Sequence, residues 1–282
     1  MRILFTGSNG FLASFLINKF KNKNEIIKCD LPALNINKFS KLFHYFKKTK
    51  PDLIIHTAAA KGAVLSNQNP KKFIDTNGNG TLNICECMRI LNIKKIVYIS
   101  SCSFYKRQNK ILNENDKDDY NNPYGFGKFI GEKIINFYGE RYDISTLCLR
   151  PNLISGNGLK EDNLIYDLID EIQKKNTATV FGNGDHVREF IHPLDFYSAI
   201  YKWLSIKRTT NYIFNISCNR YKIIDVAKKV IKFLKRGKIA FKNKNKRVFS
   251  VKLSTKKINK ILGWKSKYDI EYLIKDNYEQ FK

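Results

Sequence analysis

Short runs of apolar, β-branched residues alternate along the first half of the chain with stretches that repeat apolar residues at helical spacing. The runs are 2–6 (RILFT), 25–29 (EIIKC), 52–55 (DLII), 95–99 (KIVYI) and 144–149 (ISTLCL), and clear helical stretches are Thr81 to Leu91 and Tyr124 to Arg141. Strands that alternate with helices form a parallel sheet with helices on both faces. The pattern therefore predicts an α/β fold with a doubly wound parallel sheet.

The alternation becomes less regular after Arg150, where glycine, asparagine and proline are frequent. We therefore expect a dinucleotide-binding domain over residues 1–155 and a smaller mixed α/β lobe over residues 156–282. Some segments of the lobe are expected to return to the first domain.

The chain carries 51 Lys and Arg against 25 Asp and Glu, a formal net charge of +26. Nucleic-acid binders concentrate such charge on one element. Here lysine is spread over the whole chain, and the compact basic block KNKNKR at 242–247 is typical of a solvated loop. We expect no nucleic-acid partner, although the charge would attract an acidic small substrate.

No run of residues approaches the roughly 18 to 20 apolar residues of a membrane span, and the first residues do not resemble a secretory signal. The six cysteines form no C-x-x-C pair, so we expect them to be reduced and expect no metal site. These features predict a cytoplasmic protein without a membrane partner.

The first predicted strand leads directly into TGSNGFLA, which places Gly7, Gly10 and Ala13 in a G-x-x-G-x-x-A pattern. Such glycines permit a tight turn and let backbone amides approach a pyrophosphate at a helix N-terminus. The second predicted strand ends in Asp30, 23 residues (30 − 7) after Gly7. A carboxylate at about this spacing, roughly 20 residues, bonds the adenosine ribose and would repel a ribose phosphate. The sequence favours NAD, with NADP as the alternative.

Tyr124 and Lys128 lie four residues apart in NPYGFGKFIGE, so their side chains share one face of a predicted helix. A lysine ammonium beside a phenol lowers the pKa of the tyrosine. Such a tyrosine can exchange a hydroxyl proton while hydride moves to or from a nicotinamide. The fourth predicted strand ends in ISSCSFY, which places Ser101 at the sheet edge where open α/β sheets bind ligands. We predict that Ser101, Tyr124 and Lys128 are catalytic.

These motifs together resemble the extended short-chain dehydrogenases/reductases, in particular the NAD-dependent epimerase/dehydratase family that acts on nucleotide sugars. The resemblance covers essentially the whole chain. It is carried by TGSNGFLA, HTAAAKG, NPKKFIDTNGNGTLN, ISSCSFY, NPYGFGK, LRPNLISGNG and FGNGDHVREFIHPLD. It implies a Rossmann-like first domain and, for many members, a homodimer.

The resemblance also implies roles for single residues. Ser101 would hold the substrate oxygen, Tyr124 would be the acid/base, and Lys128 would bind the nicotinamide ribose. Besides Tyr124 and Lys128, the implied cofactor-binding residues are Gly7, Asn9, Gly10, Phe11, Leu12, Asp30, Leu31, Asn35, Ile36, Thr57, Ala58, Ala59, Lys61, Asn77, Pro151 and Leu153. The implied substrate-binding residues are Ser101, Ser103, Asn152, Asn163 and Arg188, with Asn163 and Arg188 on the diphosphate.

Departures from the family pattern narrow the expected reaction. Sugar 4,6-dehydratases carry an Asp-Glu pair where this chain has Cys102 and Ser103, so dehydration is disfavoured. Enzymes of the GDP-fucose synthase type use a Cys and a His where this chain has Ser103 and Asn163. We therefore expect hydride transfer at one carbinol, C4 of a nucleotide-diphosphate sugar, as in a 4-epimerase. The alternatives are a reductase of a 4-keto-6-deoxy sugar nucleotide, a non-catalytic dinucleotide-binding regulator and an RNA-binding protein.

Overall fold

The computed structural model describes residues 1–106, 108, 110–120, 122–207, 209–218, 220–243 and 250–282. Residues 244–247 of the basic block KNKNKR lie outside this part of the chain. Two compact units are formed. Unit 1 comprises Met1–Lys106, Asp116–Pro151 and Tyr197–Asn215, and unit 2 comprises Arg107–Asn115, Asn152–Phe196 and Ile216–Lys282.

The strands and helices follow one another along the whole chain. The strands are β1 (Arg2–Thr6), β2 (Glu25–Cys29), β3 (Leu53–His56), β4 (Lys95–Ile99), β5 (Ser145–Pro151), β6 (Leu153–Ile154), β7 (Thr177–Phe181), β8 (Val187–Ile191), β9 (Asn211–Ile216), β10 (Arg220–Lys222) and β11 (Lys238–Lys242). The helices are α1 (Phe11–Phe20), α2 (Phe39–Thr49), α3 (Ala63–Ser66), α4 (Pro70–Ile74), α5 (Gly80–Ile90), α6 (Pro123–Tyr142), α7 (Leu164–Lys175), α8 (Pro193–Leu204), α9 (Ile223–Leu234), α10 (Lys256–Leu262) and α11 (Ile270–Tyr278). A π-helical turn, Asp75–Asn79, joins α4 to α5.

Unit 1 is built on a six-stranded sheet with the order β2-β1-β3-β4-β5-β9. The pairs from β2 through β5 are parallel. All four residues of β3 and all seven of β5 are buried, as expected for strands that helices cover on both faces. The predicted α/β class with a parallel sheet is confirmed, and the five predicted strands lie within two residues of the observed ends.

Local signals explain why α6 begins and ends where it does. The Asn122 side chain caps its N-terminus by accepting from the Gly125 amide at 2.8 Å, and Pro123 occupies the first helical position. Asp143, with φ 53°, ends the helix in the left-handed region. These signals start the helix at Pro123 and so place Tyr124 on its first turn.

Unit 2 has a three-stranded sheet, β10-β8-β6, and a parallel pair of β11 with β7. Its core lies between α7, α9, α11 and the strands, with Ile169, Val226 and Leu273 fully buried. None of the helices in the described part of the chain is long and apolar enough to cross a membrane.

Gly131 allows α6 to pack closely on the turn before α5. A Cβ at this position would lie 2.6 Å from the carbonyl oxygen of Asn77. We expect Gly131→Ala to lower the free energy of unfolding by about 1–3 kcal/mol, because backbone must move to make room. The control is Gly78→Ala, whose Cβ would meet Ile130 Cγ2 at 3.2 Å, so a side chain would need to move by only a few tenths of an ångström. Urea unfolding measures both, and equal midpoints would contradict the prediction.

Candidate active site

The glycine turn between β1 and α1 is built around a residue in the left-handed region. Gly7 has φ +67°, and a Cβ there would lie 2.7 Å from the backbone nitrogen of Ala58. Only glycine satisfies both constraints. The Gly10 amide donates to the Gly7 carbonyl oxygen at 3.0 Å, and α1 begins at the next residue.

The N-terminus of α1 is suited to bind an anion. Its N-cap residue is Gly10, which has no side chain to cap the helix. Asn9 and Gly10 are both exposed. Because the first amides of a helix have no partners within the helix and lie at the positive end of its dipole, this turn fits a pyrophosphate.

Asp30 at the end of β2 is tied to the same turn. One carboxylate oxygen accepts from the Asn9 amide and the other from the Leu31 amide, each at 2.7 Å. The side chain remains half-exposed. A carboxylate has further acceptor capacity, so Asp30 can also accept from a ribose hydroxyl, and its charge opposes a ribose phosphate. The residues that would hold NAD therefore fit it.

The segment after β3 lies directly beside the glycine turn. The Thr57 hydroxyl donates to the Thr6 carbonyl oxygen at 2.6 Å. The buried Asn77 side chain brackets Ala60, accepting from its amide at 2.9 Å and donating to its carbonyl oxygen at 3.1 Å. Residues 57–60 are therefore fixed along the carboxyl end of the parallel sheet, where ligands of such sheets bind.

The remaining predicted cofactor residues of unit 1 differ in exposure. Leu12, Ile36 and Pro151 are buried, Phe11, Asn35 and Ala59 are half-buried, and Leu31 and Lys61 are exposed. Asn35 uses its side-chain oxygen to accept from the Asn37 amide at 2.9 Å.

The structure brings the three predicted catalytic residues to one region of unit 1. Ser101, 7% exposed, follows the end of β4, and its hydroxyl donates to the Ser103 hydroxyl at 2.9 Å. Tyr124 lies on the first turn of α6. That turn packs on the serine loop, because a Cβ on Gly125 would lie 3.2 Å from the Ser103 carbonyl oxygen.

Lys128 is buried one turn further along α6. Its ammonium group donates to the Ile99 carbonyl oxygen at 2.7 Å and lies 4.8 Å from the centre of the Tyr98 ring. Burial lowers the pKa of Lys128 to about 7. Burial therefore works against the positive charge that the sequence suggested for a lysine beside Tyr124.

The lowered pKa of Lys128 predicts a pH-dependent stability. Below pH 7 the residue is protonated in both states, and its burial costs free energy. Between about pH 7 and 10 the unfolded chain binds more protons, so the free energy of unfolding rises by up to about 1.4 kcal/mol per pH unit. The stability that Lys128→Met gains over the wild type should therefore shrink as pH rises through this range.

Urea unfolding of wild type and variant at several pH values between about 6 and 10 measures this difference. Lys133→Met, at an exposed position of the same helix, is the control and should differ from wild type by the same amount at every pH. A pH-independent gain for Lys128→Met would contradict the lowered pKa.

A buried ion pair between Glu132 and Arg150, which the motifs did not reveal, lies next to the predicted catalytic residues. Glu132 accepts from Arg150 Nε at 2.9 Å and from Arg150 Nη2. It also accepts from the Ser100 hydroxyl at 2.7 Å. Arg150 Nη1 donates to the Tyr105 hydroxyl oxygen at 2.6 Å, and Tyr105 donates to Asn215 at 2.7 Å. The network thus joins α6, the ends of β4 and β5, and β9.

Removal of the carboxylate from this network should be costly. Glu132→Ala leaves the guanidinium of Arg150 buried without its ion-pair partner, and we expect a loss of about 3–5 kcal/mol in the free energy of unfolding. Glu140→Ala, at an exposed position of the same helix, should change it by less than about 0.5 kcal/mol. Equal urea midpoints for the two variants would show that the pair does not stabilise unit 1.

Unit 2 holds the other predicted residues. Asn152 Nδ2 is buried and has no hydrogen-bond partner in the described part of the chain. Leu153, in β6, pairs with Phe190 of β8. Arg188 lies on β8 opposite Tyr221, and its Nη1 donates to the Val187 carbonyl oxygen at 3.1 Å.

Arg188 and Glu189 are adjacent in β8 but bond to different partners. Glu189 does not serve as the ion-pair partner of Arg188: it is buried, accepts from Arg220 Nε at 2.7 Å and accepts from the Leu253 amide. Alternation along a strand directs the Arg188 and Glu189 side chains to opposite faces. The predicted phosphate contact of Arg188 stays a prediction.

Asn163 is the N-cap of α7 and is 1% exposed. Its side-chain nitrogen donates to the Leu159 carbonyl oxygen at 2.8 Å and to Asn277 at 2.6 Å, while its oxygen accepts from the Ser155 hydroxyl at 2.8 Å. Both amide protons are therefore used within unit 2. A diphosphate contact through this side chain stays a prediction that would require one of these bonds to exchange.

All six cysteines are buried and none forms a disulfide. Among the described residues, no group of three or more His, Cys, Asp or Glu side chains could hold a metal ion. Cys102 and Ser103 occupy the two positions after Ser101, so no carboxylic acid lies at either one.

The glycine turn, the helix N-terminus behind it and Asp30, placed at one end of a parallel sheet, define a dinucleotide-binding α/β protein. The sequence model of the NAD dependent epimerase/dehydratase family matches residues 3–217. The chain therefore belongs to the NAD-dependent epimerase/dehydratase family, as its motifs predicted.

Relatives of known name match over almost the whole chain. A putative UDP-glucose 4-epimerase of Methanocaldococcus jannaschii is 30% identical over 97% of this chain and 96% of its own length. The solved UDP-glucose 4-epimerase of Thermotoga maritima, with UDP-glucose, superposes with a TM-score of 0.91 at 21% identity over 100% and 98% of the two chains. The UDP-glucuronic acid 4-epimerase of Bacillus cereus, with UDP-glucuronic acid and NAD, gives 0.86 at 20% identity over 99% and 98%.

Proposed function

We propose that this chain is an NAD-dependent 4-epimerase of a nucleotide-diphosphate sugar. The observation that carries the proposal is the meeting of the Ser101 loop with the first turns of α6, which bear Tyr124 and Lys128, inside a dinucleotide-binding unit. NAD, when bound, supplies a hydride acceptor that can return the hydride to either face of a ketone. The glycine turn, Asp30, residues 57–60 and Lys128 would hold it.

The chain's own residues would move the proton. Tyr124 takes the proton of the C4 hydroxyl as hydride leaves that carbon and returns it when hydride comes back. Ser101 donates a hydrogen bond to the same oxygen. For this its hydroxyl turns away from Ser103, and the Ser103 hydroxyl can then donate to Ser101 while the Ser103 amide, 3.1 Å away, continues to do so. The serine pair thus keeps Ser101 oriented in both states.

The residues after Ser101 favour epimerisation over dehydration. Elimination of water from a hexose needs a further acid and base beside the reacting carbons. Cys102 carries a buried thiol and Ser103 carries a hydroxyl, so neither residue supplies a carboxylic acid at pH 7. A single proton exchanger suits redox at one carbon.

The proposed substrate is a hexose linked to a nucleoside diphosphate. Support comes from the relatives. One is named as a putative UDP-glucose 4-epimerase, and the two solved structures hold UDP-glucose and UDP-glucuronic acid. In unit 2, Arg188 offers a guanidinium that can bond two phosphate oxygens, and Asn152 offers a buried amide nitrogen without a partner among the described residues. The homodimer and the cytoplasmic location stay predictions.

The proposal is tested by releasing and weighing the small molecules that copurify with the protein, then incubating it with UDP-, GDP-, CDP- and dTDP-hexoses. We expect NAD⁺ in the released fraction and a C4-inverted sugar without net reduction. Consumption of NADH or NADPH with 4-keto sugars, and no inversion, would instead identify a reductase and would contradict the proposed 4-epimerase.

Tyr124→Phe isolates the proposed proton exchanger. We expect turnover to fall by roughly 10² to 10⁴-fold, because the acid/base group is removed, while NAD⁺ affinity stays nearly unchanged. Tyr120→Phe is the matched control, since its ring contacts Phe126 and Phe129 and remains after the change. Unchanged turnover in Tyr124→Phe would remove Tyr124 from the reaction.

A further inference from the structure

A histidine outside the proposed chemistry lies buried at the end of β3. His56 is 0% exposed, and each ring nitrogen contacts a threonine hydroxyl. Nδ1 lies 2.7 Å from Thr6 Oγ1, on β1, and Nε2 lies 3.0 Å from Thr81 Oγ1, on α5. The ring thus joins the first strand of the sheet to the helix that follows the Asn77 turn.

The partners of the two hydroxyls fix the proton arrangement of the ring. Thr6 Oγ1 also contacts the Ala58 amide at 3.3 Å, and an amide N–H can only donate. Among the described residues, His56 Nδ1 is the only acceptor within hydrogen-bond distance of the Thr6 hydroxyl, so the hydroxyl proton is donated to Nδ1. Nδ1 is unprotonated, and Nε2 carries the proton.

The other end of the ring requires the same arrangement. Thr81 donates its single hydroxyl proton to the Asn77 carbonyl oxygen at 2.7 Å. Its oxygen therefore accepts from His56 Nε2, and the Tyr98 hydroxyl is a further hydrogen-bond neighbour of the Thr81 side chain. Burial lowers the pKa of His56 to about 3, with Lys128 adding to the effect, which is consistent with a neutral ring.

The hydrogen bonds form a directed chain from the segment after β3 to the turn before α5. They run from the Ala58 amide through Thr6, His56 and Thr81 to Asn77. Asn77 in turn brackets Ala60 with its side chain. Residues 58–60 are thus held at both ends by one continuous set of bonds.

The same segment forms one wall of the glycine turn. A Cβ on Gly7 would lie 2.7 Å from both the nitrogen and the Cα of Ala58, so the two backbones already touch. A small shift of residues 58–60 would therefore change the space beside the turn where a pyrophosphate would lie.

We infer that His56 and Thr81 are positioning residues of the cofactor site: by holding one proton arrangement, they set where the backbone of Ala58 to Ala60 lies and so set the affinity for a dinucleotide. The inference rests on the proposed function for the identity of the ligand. Neither residue would touch that ligand, and both act through Thr6 and Asn77.

The first test compares NAD⁺ affinity in two threonine variants. Thr81→Val removes the hydroxyl and keeps the shape, so the buried Nε2 proton loses its acceptor. We expect the NAD⁺ dissociation constant, measured by calorimetry after removal of copurified nucleotide, to rise by roughly fivefold or more. Thr81→Ser, which restores the hydroxyl, should return it to the wild-type value.

Thr49→Val is the matched control. Thr49 makes the same kind of bond to the carbonyl oxygen four residues earlier, at 2.8 Å from Tyr45, with no histidine behind it. It should leave the dissociation constant unchanged even if its urea midpoint falls with that of Thr81→Val. Wild-type affinity in Thr81→Val would overturn the inference, because the loss would then be one of stability alone.

The second test reads the proton arrangement directly. Two-bond ¹H–¹⁵N correlations of the histidine rings, assigned through His56→Gln, should show a neutral His56 protonated at Nε2. The Nδ1-protonated form would overturn the proposed direction of the hydrogen bonds from Thr6 through His56 to Thr81, and with it the inference. A wild-type protein that bound no dinucleotide would overturn the proposed function and the cofactor role together. NAD⁺ binding with an unaffected Thr81→Val would overturn only the positioning role.

Discussion

The buried pair of Glu132 and Arg150 is the interaction on which the arrangement of unit 1 depends. It takes two charges out of water, and the bonds from Ser100 to Glu132 and from Arg150 to Tyr105 offset part of that cost. Ser100 precedes Ser101, and Glu132 follows Lys128 by one helical turn. The pair therefore fixes the distance between the strand end and the helix that carry the proposed chemistry.

A second buried network, the one through His56, holds another part of unit 1 in the same manner. The chain through His56 runs from the backbone amide of Ala58 to the backbone carbonyl oxygen of Asn77, whose side chain holds the backbone of Ala60. Both networks sit behind residues that would meet a ligand and leave those residues little freedom to move. This is preorganisation by buried polar groups, which is effective in a low-dielectric interior because each bond there is strong and each unpaired group is costly.

Much of unit 1 could be predicted because its signals are local. Strand identity follows from short β-branched runs, the turn from Gly7 and Gly10, and the placement of Tyr124 and Lys128 from their spacing. The pairing of Glu132 with Arg150 and of His56 with Thr81 joins residues 18 and 25 positions apart, for which no spacing rule exists. Asn163 carried a local signal, an Asn before an apolar helical run, that indicates a helix cap as readily as a ligand contact.

The order of segments in unit 1 has a consequence for its biosynthesis. β9, at the edge of the six-stranded sheet, is contributed by Asn211–Ile216, after residues 152–196 of unit 2 have already been made. During synthesis, β5 is therefore the exposed edge of the sheet while part of unit 2 is translated. An exposed edge strand can pair with a strand of another chain. A fragment that stops at residue 155 keeps every catalytic candidate of unit 1 but keeps that open edge permanently, so a shortened chain meant to bind dinucleotide alone must also supply β9.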